Sequence, residues 1–415
     1  MVSMSLTLVA VACNVSTVDP GGADPGNVPP PGGLAGDTPR PEGCTAPTEG
    51  LTVIMTDYNS SNVGLASFDL TAKVGSFLSS GSAPPGLGLA LSGDVVAPSQ
   101  RPASGRIVLI DRLGKNVITW ASARDCAVLG QLAVGTGFDS NPYDYLEVDE
   151  RRAFVSRFGR NPKPGAQPFD GGDDLLVIDT QSFAVLRSIG LPAFGGIPAR
   201  PGSLVRAGNY ALVSLQRLSE GFNVAQDGAI VGVDISTEAV AFTVDLPGLE
   251  NCDGLAVSPS GKRAAGACQG LYDVNADAWD VAKSAVAVLD LSTTPPTVAR
   301  RLQLPAALGA AVQQGVAFAT EDTLLVKAHS AGATLERLVS VDLNTGAPVE
   351  LHRATARFVF GDVRCGGGAC YFADAENNVV RRWAITGTGL ATSQGGEAVT
   401  IETAVGLPTR RLGLY

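Results

Sequence analysis

The stretch LVIDTQSFAVLRSIGLP (Leu176–Pro192) decides the fold, because it reads as an apolar strand closed by Asp, a short polar turn, and a second strand that ends in Leu-Pro. The same phrase returns as SFDLTAKV (Ser67–Val74), VGVDISTEAVAFTVDLP (Val231–Pro247), VAVLDLSTTPPTVARRLQLP (Val286–Pro305) and VSVDLNTGAPV (Val339–Val349). Strand pairs that recur along a chain are typical of a β-propeller. The repeat therefore predicts an all-β fold.

Seven blades of four antiparallel strands, named A at the centre to D at the rim, account for residues 51–415. The B strands are predicted near Thr52, Arg106, Ala153, Tyr210, Arg263, Thr323 and Ala369. Blade 1 has no A strand ahead of its B strand. We expect the C-terminal segment Leu407–Tyr415 to supply that strand, because closing the ring in this way leaves no free inner edge.

Two blades resemble known propeller families. FADAENNVVRRW (Phe372–Trp383) resembles an NHL-type blade, and LAVSPSGKRAAGA (Leu255–Ala267) is similar to the blade signature of YVTN-type, surface-layer-like propellers. Members of these families range from ligand binders to lactone hydrolases. The resemblance therefore implies a propeller and leaves its activity open, since a propeller is a scaffold whose function lies in its loops.

The N-terminal segment is predicted to direct export. Residues 1–13 (MVSMSLTLVAVAC) resemble a bacterial lipoprotein signal whose lipobox ends at Cys13, and residues 14–50 form a Pro/Gly-rich linker. A cleaved soluble signal or a buried strand is the alternative for residues 1–13. We expect an outer-membrane lipoprotein of the bacterial cell envelope, periplasmic or surface-exposed, that contacts the membrane through its lipid alone.

Composition narrows the partners. The chain carries a formal net charge of −10 and has a pI near 4.8, which argues against nucleic acid because phosphate binding requires clustered Lys and Arg. We expect a monomer whose partner is a protein or a glycan of the envelope. No cofactor is predicted apart from a candidate calcium ion.

The cysteines can be paired from strand direction. With Cys13 reserved for the lipid, six cysteines remain, and an even number in an exported chain indicates disulfides. Because strand A runs from the top face to the bottom and strand B returns, the topology predicts three bonds: Cys365–Cys370 and Cys44–Cys126 at the bottom, and Cys252–Cys268 at the top.

Long B–C loops are predicted on the top face of three consecutive blades, at Arg157–Asp174, Arg217–Gly228 and Gly270–Ser284. Their aromatic side chains are the candidate binding residues, because exposed rings in long loops are common recognition anchors. These are Phe158, Phe169, Phe222, Tyr272 and Trp279. The alternative is that the rings only pack the loops onto their own blades.

The last of these loops contains Asp273, Asn275 and Asp277 at alternating positions, as at the start of a calcium loop. Ala278 replaces the required Gly and Ser284 replaces the bidentate Glu, so an EF-hand is excluded. A looser calcium site using these residues, with Asp170, Asp173 or Asp174, is one reading. A solvated acidic loop is the other.

An enzymatic reading is based on the starts of the A strands. Lactone-hydrolysing propellers place carboxylates around the channel mouth, and Asp144, Asp253 and Asp362 occupy such positions here. Arg200, Arg410 and Arg411 stand at equivalent places and would pair with these carboxylates. Only two histidines exist, His329 and His352, so a histidine-rich metal centre is excluded.

The sequence thus favours an envelope-anchored propeller that binds a protein or glycan through its top face. The alternatives are a metal-dependent, lactonase-like hydrolase at the channel mouth, or a non-catalytic scaffold of an envelope complex. The recurrent Asp residues that close the C strands are predicted to be structural, since Asp before a turn accepts main-chain hydrogen bonds. They are Asp69, Asp179, Asp234, Asp290 and Asp342.

Overall fold

The repeated phrase forms the outer half of a blade in the computed structural model, which describes residues 44–112, 114–329, 335–387 and 389–415. Leu176–Pro192 contributes the second half of one C strand and the whole of the following D strand. Seven four-stranded antiparallel blades form a β-propeller, as predicted. The proposed signal, Cys13 and nearly all of the linker lie outside the described residues.

Each blade is one sheet ordered from its inner to its outer strand. The strands of blades 1 to 4 are β1 (Leu51–Thr56), β2 (Ser61–Ala66), β3 (Lys73–Ser79), β4 (Val95–Val96), β5 (Ile107–Asp111), β6 (Val117–Ser122), β7 (Ala127–Ala133), β8 (Pro142–Glu147), β9 (Arg152–Arg160), β10 (Gly172–Asp179), β11 (Ala184–Gly190), β12 (Pro201–Ala207), β13 (Tyr210–Leu215), β14 (Asp227–Asp234) and β15 (Ala239–Glu250).

Blades 5 to 7 follow in the same order, and the last strand returns to blade 1. They comprise β16 (Cys252–Val257), β17 (Arg263–Cys268), β18 (Tyr272–Asp273), β19 (Ala278–Trp279), β20 (Ala285–Asp290), β21 (Thr297–Leu302), β22 (Val312–Phe318), β23 (Thr323–Ala328), β24 (Arg337–Asp342), β25 (Pro348–Arg353), β26 (Phe360–Gly366), β27 (Ala369–Asp374), β28 (Val379–Thr386), β29 (Gly389–Leu390), β30 (Glu397–Val399) and β31 (Thr409–Leu414).

Helix is confined to a 3₁₀ turn at Val281–Lys283 and one α-helical turn, α1 (Pro305–Leu308), in the described ranges. None of the helix described there has the length and apolar character needed to cross a bilayer.

The ring closes at its C-terminus, as predicted. Strand β31 pairs antiparallel with β1, with Leu51 opposite Leu414 and Val53 opposite Leu412. The amide of Tyr415 donates to the carbonyl of Gly50 at 3.0 Å. The last strand of the chain is therefore the inner strand of the first blade.

Apolar packing joins each blade to the next. Seven hydrophobic clusters occur among the described residues, and each one is shared by two neighbouring blades. Between blades 2 and 3, for example, Trp120 packs edge-on against Tyr145 and donates from Nε1 to its hydroxyl at 3.1 Å. The alternating apolar pattern thus buries both faces of each blade.

Asp residues close the C strands by capping the turn that follows. The Asp179 carboxylate accepts from the amides of Gln181 and Ser182 at 2.8 and 2.9 Å, and Asp342 does the same with Asn344 and Thr345. The predicted structural role of this Asp series is confirmed at these turns.

All three predicted disulfides are present. Cys44–Cys126 joins segments separated by 82 positions in the sequence, with a Cα–Cα distance of 5.7 Å. Cys252–Cys268 and Cys365–Cys370 each link residues that face one another across an A–B hairpin. The agreement confirms the strand directions from which the pairing was predicted.

One predicted loop is shorter than expected. Strand β9 extends to Arg160 and β10 begins at Gly172, so Phe158, Asp173 and Asp174 belong to strands instead of to the loop of blade 3. The strands extend because the Arg157 guanidinium forms a buried ion pair with Asp174, 2.6 Å from Nη2 to Oδ2.

Candidate functional site

The A strands line a central channel that opens on the top face into a cavity of about 290 Å³. We call it the top cavity. It lies where the A strands of blades 6, 7 and 1 begin and where the B strands of blades 5 and 6 end. Its lining consists of Tyr58, Gln269, Trp279, Gln313, Gln314, Lys327, His329, Glu336, Phe358, Phe360, Gly361, Arg410 and Arg411.

An aromatic wall forms one side of the top cavity. The short hairpin of β18 and β19 carries Trp279 over blade 6, where its ring stacks on His329 with centroids 3.7 Å apart. Tyr272 supports Trp279 from behind, with centroids 5.1 Å apart. The blade 5 loop therefore presents a fixed aromatic face to the channel mouth.

His329 is an uncharged part of this wall. Burial and the nearby Lys327 ammonium lower the pKa of His329 to about 3. Its Nε2 lies 2.8 Å from Oε1 of Gln269, so the imidazole donates there as a neutral ring. A neutral His held between a Trp ring and an amide is not poised to accept a proton near neutral pH.

Three cationic side chains lie across the top cavity. The Lys327 ammonium donates to the carbonyl of Gly361 at 2.7 Å, and burial lowers the pKa of Lys327 to about 8, although Asp362 opposes the shift. Arg411 donates to Asp362 Oδ1 at 3.2 Å. Arg410 lies over the ring of Tyr58 at 5.2 Å and donates to the carbonyls of Thr56 and Phe358, both at 3.2 Å; it forms no ion pair with a carboxylate among the described residues.

Glu336 is the acid of this cavity, and its oxygens are already occupied. It accepts from the amides of Val359 and Phe360 at 2.7 and 3.2 Å and from Nε2 of Gln313 at 3.3 Å. Burial raises the pKa of Glu336 above its ordinary value. Its role is to hold the segment that precedes β26.

Two buried polar atoms on the wall of the top cavity have no hydrogen-bond partner in the part of the chain that the structure describes. They are Nε1 of Trp279, a donor, and Oε1 of Gln313, an acceptor. Buried polar atoms in folded proteins are nearly always paired. A polar ligand in the cavity would satisfy both.

The three candidate catalytic carboxylates do not converge. Asp144 accepts from the amides of Leu204 and Ser99 in the two neighbouring blades, at 2.7 and 2.9 Å, and burial raises the pKa of Asp144 to about 6. Asp144 and Asp253 are 2% exposed, and Asp362 is half-buried. Each of the three accepts a hydrogen bond from a neighbouring blade. Their positions tie blades together.

Asp253 and Asp362 repeat this arrangement farther around the ring. Asp253 accepts from Ser203 and from the hydroxyl of Tyr143, while Asp362 accepts from the amide of Leu412 at 3.2 Å. Within the described ranges, no group of three or more His, Cys, Asp or Glu side chains is arranged to hold a metal ion.

The candidate calcium ligands are likewise engaged. Asp273 Oδ1 accepts from the amides of Asn275 and Ala276, and both oxygens of Asp277 are bound by the Arg357 guanidinium at 2.7 and 2.8 Å. In blade 3, Asp170 and Asp173 accept from main-chain amides, and Asp174 pairs with Arg157. The geometry matches an acidic loop held by an arginine.

The predicted binding aromatics separate into two groups. Phe169 packs into the core between blades 2 and 3. Phe158 is 8% exposed and stacks between Tyr143 and Phe222, whereas Phe222 is 54% exposed. Only Trp279 of the five candidates lines the top cavity, with Tyr272 behind it.

Sequence reasoning named His329, Arg410 and Arg411 at the channel mouth but missed Lys327 and Gln269. Lys327 lies opposite Gln313 in the A–B hairpin of blade 6, and Gln269 joins them from blade 5. One signal was available, because Lys327 interrupts the apolar B strand LLVKA, where an inward-facing Lys is unusual.

Comparison with known proteins supports the fold. No family model matches the chain, and no curated protein matches it. A putative 6-phosphogluconolactonase from Bacteroides uniformis is similar, with a TM-score of 0.54, 12% identity, and coverage of 89% of this chain and 100% of that chain. The periplasmic gluconolactonase of Pseudomonas aeruginosa has a TM-score of 0.54 and 14% identity, over 88% of this chain and 98% of that one.

A third solved structure is equally similar. The β-propeller domain of Cps50 (Swd1) from Myceliophteria thermophila has a TM-score of 0.54 and 10% identity, and covers 81% of this chain and 97% of its own. At these identities the similarity shows a shared propeller fold alone.

Proposed function

We propose that this protein binds a small acidic carbohydrate, a sugar acid or the acidic end of a glycan, in the top cavity. The observation that carries the proposal is the pairing of an aromatic face, Trp279, with cations across a cavity of about 290 Å³. Small-molecule sites are typically concave, partly aromatic, and supplied with a few convergent polar groups.

Each wall of the cavity suits one part of such a ligand. The apolar face of a pyranose ring would pack against the aromatic wall that Trp279 and His329 form together. The carboxylate would pair with Arg410, because an arginine fork binds carboxylates in a bidentate manner. Hydroxyl groups would accept from Trp279 Nε1 and donate to Gln313 Oε1, the two buried atoms that lack partners among the described residues.

Titration calorimetry tests this proposal directly. D-Galacturonate should bind more tightly than the matched neutral sugar D-galactose, and Arg410→Gln should remove that difference. Trp279→Ala should weaken both sugars by about tenfold or more, since an aromatic anchor contributes about 2 kcal/mol. Phe222→Ala, an exposed ring outside the cavity, is the control. Equal affinity for the acid and the neutral sugar would contradict the proposal.

We further propose that the protein is a lipoprotein of the bacterial envelope anchored through Cys13. The bottom-face disulfide Cys44–Cys126 supports this arrangement, because it fixes the end of the linker on the face opposite the top cavity. Cys13→Ala should move the protein from the membrane to the soluble fraction. Retention in the membrane would contradict the anchor.

Hydrolysis of a sugar lactone in the same cavity is the second candidate function. Lys327 favours it, because an amine with a pKa of about 8 is partly uncharged near neutral pH and can accept a proton from water. Water would add to the lactone carbonyl as Lys327 takes its proton. The bond between the carbonyl carbon and the ring oxygen would then break, and Lys327 would return the proton to that oxygen, which yields the open sugar acid. Of the similar propellers, one is a putative 6-phosphogluconolactonase and another is a periplasmic gluconolactonase.

A pH-stat assay on glucono-δ-lactone separates the two functions. A hydrolase should show a rate above the uncatalysed one that increases as the pH rises through about 8 and that disappears in Lys327→Met. Lys262→Met, which removes an exposed lysine, should leave the rate unchanged. If the protein binds the acidic sugar but does not accelerate lactone hydrolysis, only the binding function is supported.

A further inference from the structure

The bottom end of the channel opens into a second cavity, of about 790 Å³, which we call the rear cavity. It is formed where the A strands of blades 2, 4, 5, 6, 7 and 1 end and turn into B strands. The residues that define it are Gln100, Arg101, Val205, Arg206, Leu255, Val257, Val316, Phe318, Arg364 and Leu414.

The charge of the rear cavity is opposite to that of the chain. Arg101, Arg206 and Arg364 are its charged lining residues, and no carboxylate lines it in the described part of the chain. Two of the three arginines have a carboxylate nearby, since Glu49 pairs with Arg101 at 3.1 Å and Asp362 Oδ2 lies 3.8 Å from Nη2 of Arg364, and Glu321 binds the lining residue Ser260. In a protein with net charge −10, this concentration of cations requires a reason.

The arginines are held in fixed orientations by main-chain groups. Arg206 donates from Nε to the carbonyl of Gly208 and from Nη1 to that of Val148, at 3.1 and 2.7 Å. Arg364 donates from Nη1 to the carbonyl of Val363 at 2.9 Å, while its buried Nε has no acceptor among the described residues. Preoriented guanidinium groups are suited to bind an oxyanion, because little side-chain entropy is then lost.

The remaining lining of the rear cavity is mixed, with the polar side chains of Ser99, Gln100, Ser258 and Ser260 beside an apolar part. Leu255, Val316 and Phe318 are less than 9% exposed, and Val257 and Leu414 are half-buried beside them. Apolar surface around a cationic cluster favours a ligand with an apolar body and strengthens its charge pairing by lowering the local dielectric.

A narrow waist separates the two cavities. It has a volume of about 60 Å³ and is crossed by the Tyr143–Asp253 hydrogen bond and the Arg411–Asp362 ion pair. Gly254 and Gly315 approach so closely there that a Cβ on Gly254 would collide with the amide of Gly315. The waist is therefore the smallest of the three spaces described along the channel.

We infer that the rear cavity is a separate binding site for a small oxyanion carried on an apolar body, such as an aryl carboxylate or an aryl phosphate. This site goes beyond the proposed function, because none of its charged residues lines the top cavity. The two sites can be tested with different variants.

Calorimetry with three probes tests the inference. Phenyl phosphate carries both features, inorganic phosphate carries the anion alone, and benzyl alcohol carries the ring alone. Phenyl phosphate should bind one per chain and more tightly than the other two, with an affinity that decreases as salt is raised. Benzoate in place of phenyl phosphate distinguishes a carboxylate site from a phosphate site.

Variants locate the binding. Arg364→Gln and Arg206→Gln should each weaken phenyl phosphate by about tenfold, the value of one charge-assisted hydrogen bond. Arg206 lies at the surface, so its variant remains informative if Arg364→Gln fails to fold. Arg301→Gln, which removes an exposed arginine on β21, is the matched control for charge. Absence of binding, or equal weakening by Arg301→Gln or Arg410→Gln, would overturn the inference.

Discussion

Asp374 shows how one buried carboxylate can organise a turn. It ends β27 and accepts from Nε of Arg381 at 2.6 Å and from Nδ2 of Asn377 at 2.8 Å. Burial alone would raise the pKa of Asp374. The hydrogen bonds from His352, Asn377 and Arg381 outweigh burial and hold that pKa well below its ordinary range. Folding therefore favours the ionised form.

This depressed pKa predicts a pH-dependent stability. The stabilisation is present above the unfolded-state value of about 4 and is lost as pH falls through the folded-state pKa. Asp374→Asn should lower the free energy of unfolding by about 2 kcal/mol at neutral pH, with a difference that shrinks below about pH 3. Urea melts across pH measure this, with the exposed Asp322→Asn as control. A difference independent of pH would contradict the assignment.

At the same scale, local chemistry was predictable and long-range chemistry was not. The Asp residues that cap the C–D turns could be assigned from sequence, because their partners lie two and three residues away. Lys327 could not be assigned, since its acceptor Gly361 and its neighbour Arg411 belong to other blades.

Among the elements, β31 is the strand that closes the ring of blades. It completes blade 1 and packs against β26 of blade 7. Its position was predictable because blade 1 lacks an inner strand in the sequence. Leu412 is fully buried in the cluster between blades 7 and 1.

Truncating this strand's core side chain should therefore be costly. Leu412→Ala should lower the free energy of unfolding by about 3 kcal/mol, as expected for a buried leucine. Leu186→Ala, at a 45% exposed leucine on the outer strand β11, should cost less than about 0.5 kcal/mol. Chemical denaturation of the two variants makes the comparison. Equal losses would mean that β31 does not close the ring.

At the scale of the whole molecule, the sequence repeat predicted the ring of blades but not the residues that line the ends of its channel. Blade number, ring closure and disulfide pairing could be predicted because the blades repeat one order and direction of strands. The channel-mouth chemistry depends on which side chains of separate A strands face one another. Asp144, Asp253 and Asp362 could be named as candidates from their places at the starts of A strands, but their partners could not. Each accepts a hydrogen bond from an adjacent blade, because a buried carboxylate needs nearby donors.

The most direct measurement of the central claim is a crystal structure of the protein soaked with D-galacturonate. The account predicts the pyranose ring packed against the wall formed by Trp279 and His329, its carboxylate within hydrogen-bond distance of Arg410, and its hydroxyls at Trp279 Nε1 and Gln313 Oε1. Electron density for the sugar outside the top cavity, with no ligand between Trp279 and Arg410, would contradict it.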